Sequence, residues 1–358
     1  MFICYLCLFL LGCSSHQDDA EIVDPIAVSN ELYFPPLNSS VWETLSLTEL
    51  NWNETAFLEL KAFLEASDTE SFIIAKNGKI VVEEYFQGTT SSSLNPWFSA
   101  GKTLTAFTIG LAEQDAYLSI NDKTSDYLGV GWTNMSLEKE NLITLKHQLT
   151  MTSGGDFNVS NTNCTQPECL NYLNDAGSFW YYHNAFYTLL QSVLDAAIPE
   201  GFDAYFHSQL ANQIGLNGFW FQSGFNSIYV SDARSMARFG LLNLNRGNWN
   251  GTQLLNETYF DAMTNTSQQL NKSYGYLWWL NGKQSHRIPA STELFSSSLI
   301  PNAPSDLIAG LGANDQKLYV VPSQNLVIVR MGGSGGTSLL GPSGYDNLLW
   351  EKISALID

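Results

Sequence analysis

The chain has 358 residues, with 35 acidic side chains against 16 basic ones, a formal charge of −19. Apolar residues make up 44% and aromatics 13%, enough for a large core and too much for a disordered chain. The charge excludes nucleic acid as a partner, because a phosphate backbone would be repelled. The acidic residues are scattered and form no tail, the pattern of a solvated surface.

Residues 1–13, MFICYLCLFLLGC, are a short apolar run. It falls short of a membrane span and fits the apolar part of a secretory signal. Its end, Leu10-Leu11-Gly12-Cys13, resembles a bacterial lipobox, in which cleavage before the cysteine frees it for lipid attachment. That resemblance implies a lipid on Cys13, a membrane anchor and a periplasmic or cell-envelope location; a plain signal peptide is the alternative. No Lys or Arg precedes the run, so a translation start further upstream is expected. Residues 14–45, mixing Pro, Ser, Asn and Asp without periodicity, read as linker, and 46–358 as the catalytic domain. Of five cysteines, Cys4 and Cys7 would leave with the signal and Cys13 would carry lipid. Cys164 and Cys169 remain, in the polar stretch NTNCTQPECLNYL; in an oxidising compartment they would close a small disulfide loop. A zinc site would need a second Cys or His pair, and none lies nearby.

Helical patterning runs from Leu47 to Leu64. Next, SFIIAKNGKIVVEEYF sets two β-rich runs around Asn77-Gly78, the strongest short hairpin signal. From about 100 to 260 the pattern is mostly helical, with a helical subdomain at about 100–200. QKLYVVPSQNLVIVRMG predicts a second hairpin turning at Pro322-Ser323-Gln324-Asn325, and an amphipathic helix follows from about Tyr345 to Ile357. Strands at both ends with helices between predict an α/β (α+β) fold. One antiparallel sheet would be built from the two termini, with the helical insertion at its side. Sequons such as Asn38, Asn53 and Asn250 mean little in a bacterial cell.

The stretch NPWFSAGKTLTAFTIGLAEQD holds Ser99 and Lys102 at the front of a helix of small and apolar residues. A serine hydroxyl is a weak nucleophile and needs a base. A lysine supplies one when burial makes it neutral. Three residues apart on a helix, the two side chains share a face. At a first helical turn, unpaired N–H groups and the positive dipole end also stabilise oxyanion charge. Ser136 and Lys139 repeat the spacing among charges, where a surface helix explains them. A second segment, FWYYHNAFYTLL, contains Tyr182-His183-Asn184 ahead of an apolar helix. A tyrosine beside the lysine can relay protons, and an asparagine can donate to a substrate carbonyl or accept from the lysine.

Together these stretches resemble the serine β-lactamase and penicillin-binding-protein family. The likeness is to the class C-like branch with its esterases and 6-aminohexanoate-dimer hydrolases, over about 45–355. FSAGK is similar to the nucleophile motif, ITLKHQLTMTSGGDF to a Thr-Ser-Gly segment, and YYHNAFYTLL to the Tyr-x-Asn motif. DARSMARFGLLNLNRGNWNG and YGYLWWL are similar to later helix and strand segments. The resemblance implies Ser99 as acylated nucleophile, Lys102 as its activating partner, Tyr182 as general acid/base and Asn184 as support for substrate or lysine. It implies an oxyanion hole of two backbone N–H groups, from Ser99 and Ala313, and no metal or cofactor. The family's third motif, Lys/His-Thr/Ser-Gly, is absent; AGLGANDQKLYVVP stands there, with Asp315 where glycine is usual. This favours a small-molecule amide or ester without an obligatory carboxylate, and places Asp315 as extra negative charge near the mouth. The alternatives are a true β-lactamase or DD-peptidase with a diverged third motif, and a non-catalytic cell-wall-sensing or binding relative.

Other matches carry less. Gly332-Gly333-Ser334-Gly335-Gly336 fits a Gly-x-Ser-x-Gly elbow, but that chemistry needs a later histidine, and the last is His286. It reads as a flexible loop after a strand. Gly310-Leu311-Gly312 precedes a strand where a dinucleotide loop needs a helix. His147 and His207 read as satisfied groups on helices, and His183 should point away from Tyr182. Trp97, Trp132, Trp180, Trp278 and Trp279 read mostly as core, with one or two able to touch substrate.

Overall fold

Two β-rich runs around Asn77-Gly78 form the predicted hairpin, β1 (Thr69–Lys76) and β2 (Lys79–Tyr85), in a computed structural model that describes Met1 and residues 32–37, 39–336 and 340–358. Both turn residues take positive φ, 51° and 80°, as a tight hairpin requires. The signal, the lipobox with Cys13, Cys4, Cys7 and the Asn38 sequon lie outside the described residues. Among the described residues no helix is long and apolar enough to cross a membrane.

In chain order, α1 spans Glu54–Ala66 and is capped by Asn53, whose side chain accepts from the Thr55 and Ala56 N–H groups. Residues 47–52, expected within that helix, form turns ahead of it. After the first hairpin come β3 (Asn95–Pro96), α2 (Lys102–Gln114) and α3 (Asn184–Ala197). Then follow β4 (Gly218–Ser223), β5 (Asn226–Ser231), α4 (Ala233–Leu244) and the two-residue strands β6 (Asn248–Trp249), β7 (Thr252–Gln253) and β8 (Trp279–Leu280). The chain closes with β9 (Ile308–Gly312), β10 (Gln316–Val321), β11 (Leu326–Gly332) and α5 (Gly344–Ile357).

The main sheet runs β2-β1-β11-β10-β9-β8, all antiparallel. Its centre joins the two ends of the chain, Phe72 opposite Arg330 and Ile74 opposite Ile328. Every residue of β10 and β11 is buried, Gln316, Lys317 and Arg330 included, and the apolar stretches 318–321 and 326–329 show no alternation because both faces are covered. Helix α4 packs against β1, β10 and β11, and α1 packs against α5 and β1.

Two expectations change. The described residues from Leu32 to 45, read as linker, belong to the same compact unit as the rest of the chain to Asp358. Tyr33 N–H donates to Asn77 O at 3.0 Å, the Trp42 indole to Gly78 O at 2.7 Å, and Thr44 bridges to Ile80. Arg238 binds the Pro35 and Pro36 carbonyls and lies over Trp42. Side-chain anchoring of an extended segment leaves no periodicity to read. Second, the mostly helical middle contains the β4–β5 hairpin, which pairs with β3 in a separate three-stranded sheet.

Candidate active site

That small sheet sets the approach to Ser99. Asn95 and Pro96 pair with Ser231 and Val230. Trp97 N–H donates to Tyr229 O at 2.8 Å, and its indole N–H to Ser231 Oγ at 2.8 Å. The next residue, Phe98, has φ 47°, a left-handed conformation costly for an aromatic and held by these flanking bonds. Phe98–Gly101 then form a single 3-10 turn, and α2 starts at Lys102. The end of β9 presses on this turn from the other side. A Cβ on Gly312 would come within 2.3 Å of Trp97 O and 3.2 Å of Ala100 N, so only glycine permits the approach. The strand then delivers Ala313 to the cleft that holds Ser99.

Helix α2 is buried from Lys102 to Ala112, and Lys102 itself is 3% exposed. Its Nζ donates to Ser99 Oγ at 2.8 Å. The amine lies 4.0 Å from the ring centre of Tyr187 and 4.9 Å from that of Tyr182. Aromatic faces favour a cation, but burial acts the other way and prevails, driving the Lys102 pKa well below the ordinary lysine value. No carboxylate pairs with Lys102 among the described ion pairs.

Tyr182 stands two residues before α3, its ring stacked on Trp279 at 5.8 Å. Burial pushes its phenol pKa up, and the Ser99 hydroxyl, in hydrogen-bonding reach, pulls it partly back. Ser99, Lys102 and Tyr182 therefore meet, as the motif spacing implied. Sequence reading missed Tyr187, one turn into α3, whose buried ring sits closest to the amine. Its signal was present: in Asn184-Ala-Phe-Tyr187 it follows Asn184 at helical spacing and so shares a face with it.

Asn184 opens α3 and lines the cleft. Its Nδ2 donates to Asn163 Oδ1 at 2.8 Å, and its buried Oδ1 has no partner. No bond joins it to Lys102, whose amine donates to Ser99. Asn163 adjoins Cys164, which is joined to Cys169 in a disulfide. Thr162, in the same loop, accepts from Ala185 N–H and lines the cleft.

The cleft, about 110 Å³, is lined by Ser99, Thr162, Tyr181, Tyr182, Asn184, Pro289, Ala290, Ala313, Leu340 and Gly341, none of them charged. Asp315 is not at its mouth, as the sequence suggested; it is fully buried and ion-paired with Lys317 at 3.0 Å. None of the five tryptophans lines the cleft; all are buried, because the lining role falls to Tyr181 and Tyr182. His183 faces away, its Nε2 3.2 Å from Asp156 O. Ser153 and Gly154 of the Thr-Ser-Gly segment line a neighbouring small cavity instead. The glycine-rich loop after β11 is held by bonds, with Gly333 N–H on Asp68 O and Gly335 N–H on Asp315 Oδ2. Among the described residues no cluster of side chains could hold a metal.

A match to the Beta-lactamase family spans residues 64–337. The chain belongs to the beta-lactamase family. Solved structures share the fold at low identity. A Bacillus anthracis protein named a 6-aminohexanoate-dimer hydrolase is 18% identical, covering 91% of this chain and 89% of its own, with a TM-score of 0.68. A Bacteroides dorei protein named a beta-lactamase is 14% identical, with 86% and 99% covered and a TM-score of 0.67. A penicillin-binding protein from Bacillus halodurans is 16% identical, with 83% and 99% covered and a TM-score of 0.59. No curated protein matches the sequence. Membership of the beta-lactamase family makes serine-type hydrolysis the activity class.

Proposed function

We propose that this beta-lactamase-family protein hydrolyses a small amide or ester through an acyl-enzyme on Ser99. The carrying observation is the Lys102 amine: buried, without a carboxylate, driven towards neutrality and 2.8 Å from Ser99 Oγ. A neutral amine accepts the hydroxyl proton as Oγ attacks the carbonyl carbon. The oxyanion forms against the Ser99 and Ala313 N–H groups. As the C–N or C–O bond breaks, the proton passes through Lys102 and Tyr182 to the leaving group, and water then releases the acid. The uncharged cleft wall supports an acyl part without an obligatory carboxylate.

Intact mass spectrometry after exposure to activated esters and to a penicillin tests this. An acyl adduct on the wild type and none on Ser99→Ala is expected. A protein never labelled by any ester would end the acyl-enzyme reading, and a stable penicillin adduct would end the preference for uncharged acyl groups.

The same protein, in this proposal, faces the periplasm and is held there by lipid on Cys13. The Cys164–Cys169 disulfide fits an oxidising compartment. Cys13→Ser is expected to abolish incorporation of labelled palmitate in cells and to move the protein out of the membrane fraction; unchanged labelling would exclude that anchor.

A further inference from the structure

Just after the cleft residue Ala313, Asn314 and Asp315 both have φ 55°, in the left-handed region that asparagine and aspartate visit more readily than other residues with a side chain. The surroundings hold them there. The Arg330 Nη1 donates to both the Asn314 and Asp315 carbonyls at 3.0 Å, and Gln316 Nε2 donates to Asn314 O at 3.1 Å.

The Asp315 carboxylate adds a second layer. Its Oδ1 takes Lys317 Nζ at 3.0 Å and Ser343 Oγ at 2.7 Å, and its Oδ2 takes Gly335 N–H at 2.9 Å. Lys317 Nζ has three protons to donate, and three acceptors meet it: Asp315, Asp346 Oδ2 at 2.9 Å and Gly341 O at 2.8 Å. Tyr319 O–H holds the other oxygen of Asp346 at 2.5 Å. Asp315, Lys317 and Arg330 are fully buried and Asp346 nearly so. Both carboxylates pair with Lys317, while Arg330 donates to the Asn314, Asp315, Gly333 and Ser67 carbonyls and to Thr69 Oγ1, so the buried groups of the cluster are satisfied. Replacement of a single member leaves buried donors or acceptors without a partner, so the geometry is specified tightly.

This cluster touches two walls of the cleft. Through Asp315 it fixes the turn that carries Ala313, and through Lys317 and Ser343 it fixes the segment that carries Gly341. We propose that Asp315 is a positioning residue for the reaction, setting the Ala313 N–H against the oxyanion and the Gly341 wall beside it. This rests on the acyl-enzyme reading above. It assigns to a buried carboxylate the placement of a donor that acts only in the transition state.

The conformational and electrostatic roles of Asp315 separate by substitution. Glycine takes φ 55° without strain. If the turn alone mattered, Asp315→Gly would be neutral or stabilising. If the carboxylate positions Ala313, Asp315→Gly lowers kcat roughly 10- to 100-fold with KM changed less than about threefold, the size of effect a shifted oxyanion donor gives. Affinity for phenylboronic acid, whose tetrahedral Ser99 adduct fills the same hole, should fall in parallel with kcat. Ser343→Ala removes one bond and keeps every charge; it should fold and show a smaller loss of the same kind. A folded Asp315→Gly with wild-type kcat overturns the proposal. So does a loss confined to KM, or boronate affinity that stays constant while kcat falls. If Asp315→Gly does not fold, Ser343→Ala decides alone: unchanged kcat and boronate affinity overturn the proposal. Ser99→Ala is the control: if it retains the rate, the acyl-enzyme reading fails first, and if it is inactive, the Asp315 result stands by itself.

Discussion

Lys102→Arg is expected to lower kcat/KM for a p-nitrophenyl ester by roughly 10³- to 10⁴-fold, the scale of a lost general base joined to a lost nucleophile activation. Arginine keeps the charge but cannot become neutral, so it cannot accept the Ser99 proton. The site is also too closely filled for a guanidinium, with the amine 4.0 Å from the Tyr187 ring centre. Lys102→Met is the companion variant, apolar and of similar size, and should be equally inactive while remaining folded. The sign of its stability effect follows from the pKa. Burial lowers the folded-state pKa below an unfolded value near 10.5, so the unfolded chain binds the extra proton. Lys102 therefore costs stability below pH ~10.5, and the cost shrinks as pH rises to that value. Lys102→Met should melt higher than wild type at neutral pH, with the gap closing towards pH ~10.5. In the wild type, kcat/KM should fall on acidification through the lysine pKa, at a pH well below that of an ordinary lysine. Substantial turnover by either variant would show that another group is the base.

Tyr182→Phe is the second large effect. The ring contacts with Trp279 and Lys102 survive this change, so KM should hold and kcat should fall roughly 10²- to 10⁴-fold, the range for a removed proton carrier. The loss should depend on the leaving group. A p-nitrophenolate leaves without a proton, whereas an alkoxide or amine does not, so an alkyl ester or anilide should suffer more than the p-nitrophenyl ester. The phenol pKa is raised by burial, which keeps the hydroxyl protonated and able to donate at neutral pH. Full activity on both classes of substrate would remove Tyr182 from the mechanism.

Ser99, Lys102 and Tyr182 were legible because each lies at the start of a helix whose apolar run marks its burial. The first hairpin was legible from Asn77-Gly78, and the closing strands from the apolar stretches 318–321 and 326–329 on either side of a turn. The β4–β5 hairpin was not singled out, although two aromatic and β-branched runs flank Gly224. Its outer faces are partly exposed and it lies among helices, so the surrounding pattern hid it. Asp315 was misread for a related reason. An aspartate beside a glycine-rich turn looks like surface charge, and its partners Lys317, Gly335 and Ser343 follow it at 2, 20 and 28 positions.

By itself the sequence determined the antiparallel sheet of two chain ends from local periodicity, and the family and the three side chains that meet at Ser99 through the resemblance of its short motifs. Only the tertiary structure decided that Tyr187 faces the Lys102 amine, that the Leu32–Leu45 segment is part of the folded unit, and that Asp315 is sealed inside a buried ion-pair cluster behind the cleft. Those facts depend on burial and on groups brought together across the chain, and no local pattern encodes that Ser343 and Gly335 will close over the Asp315 carboxylate in the core.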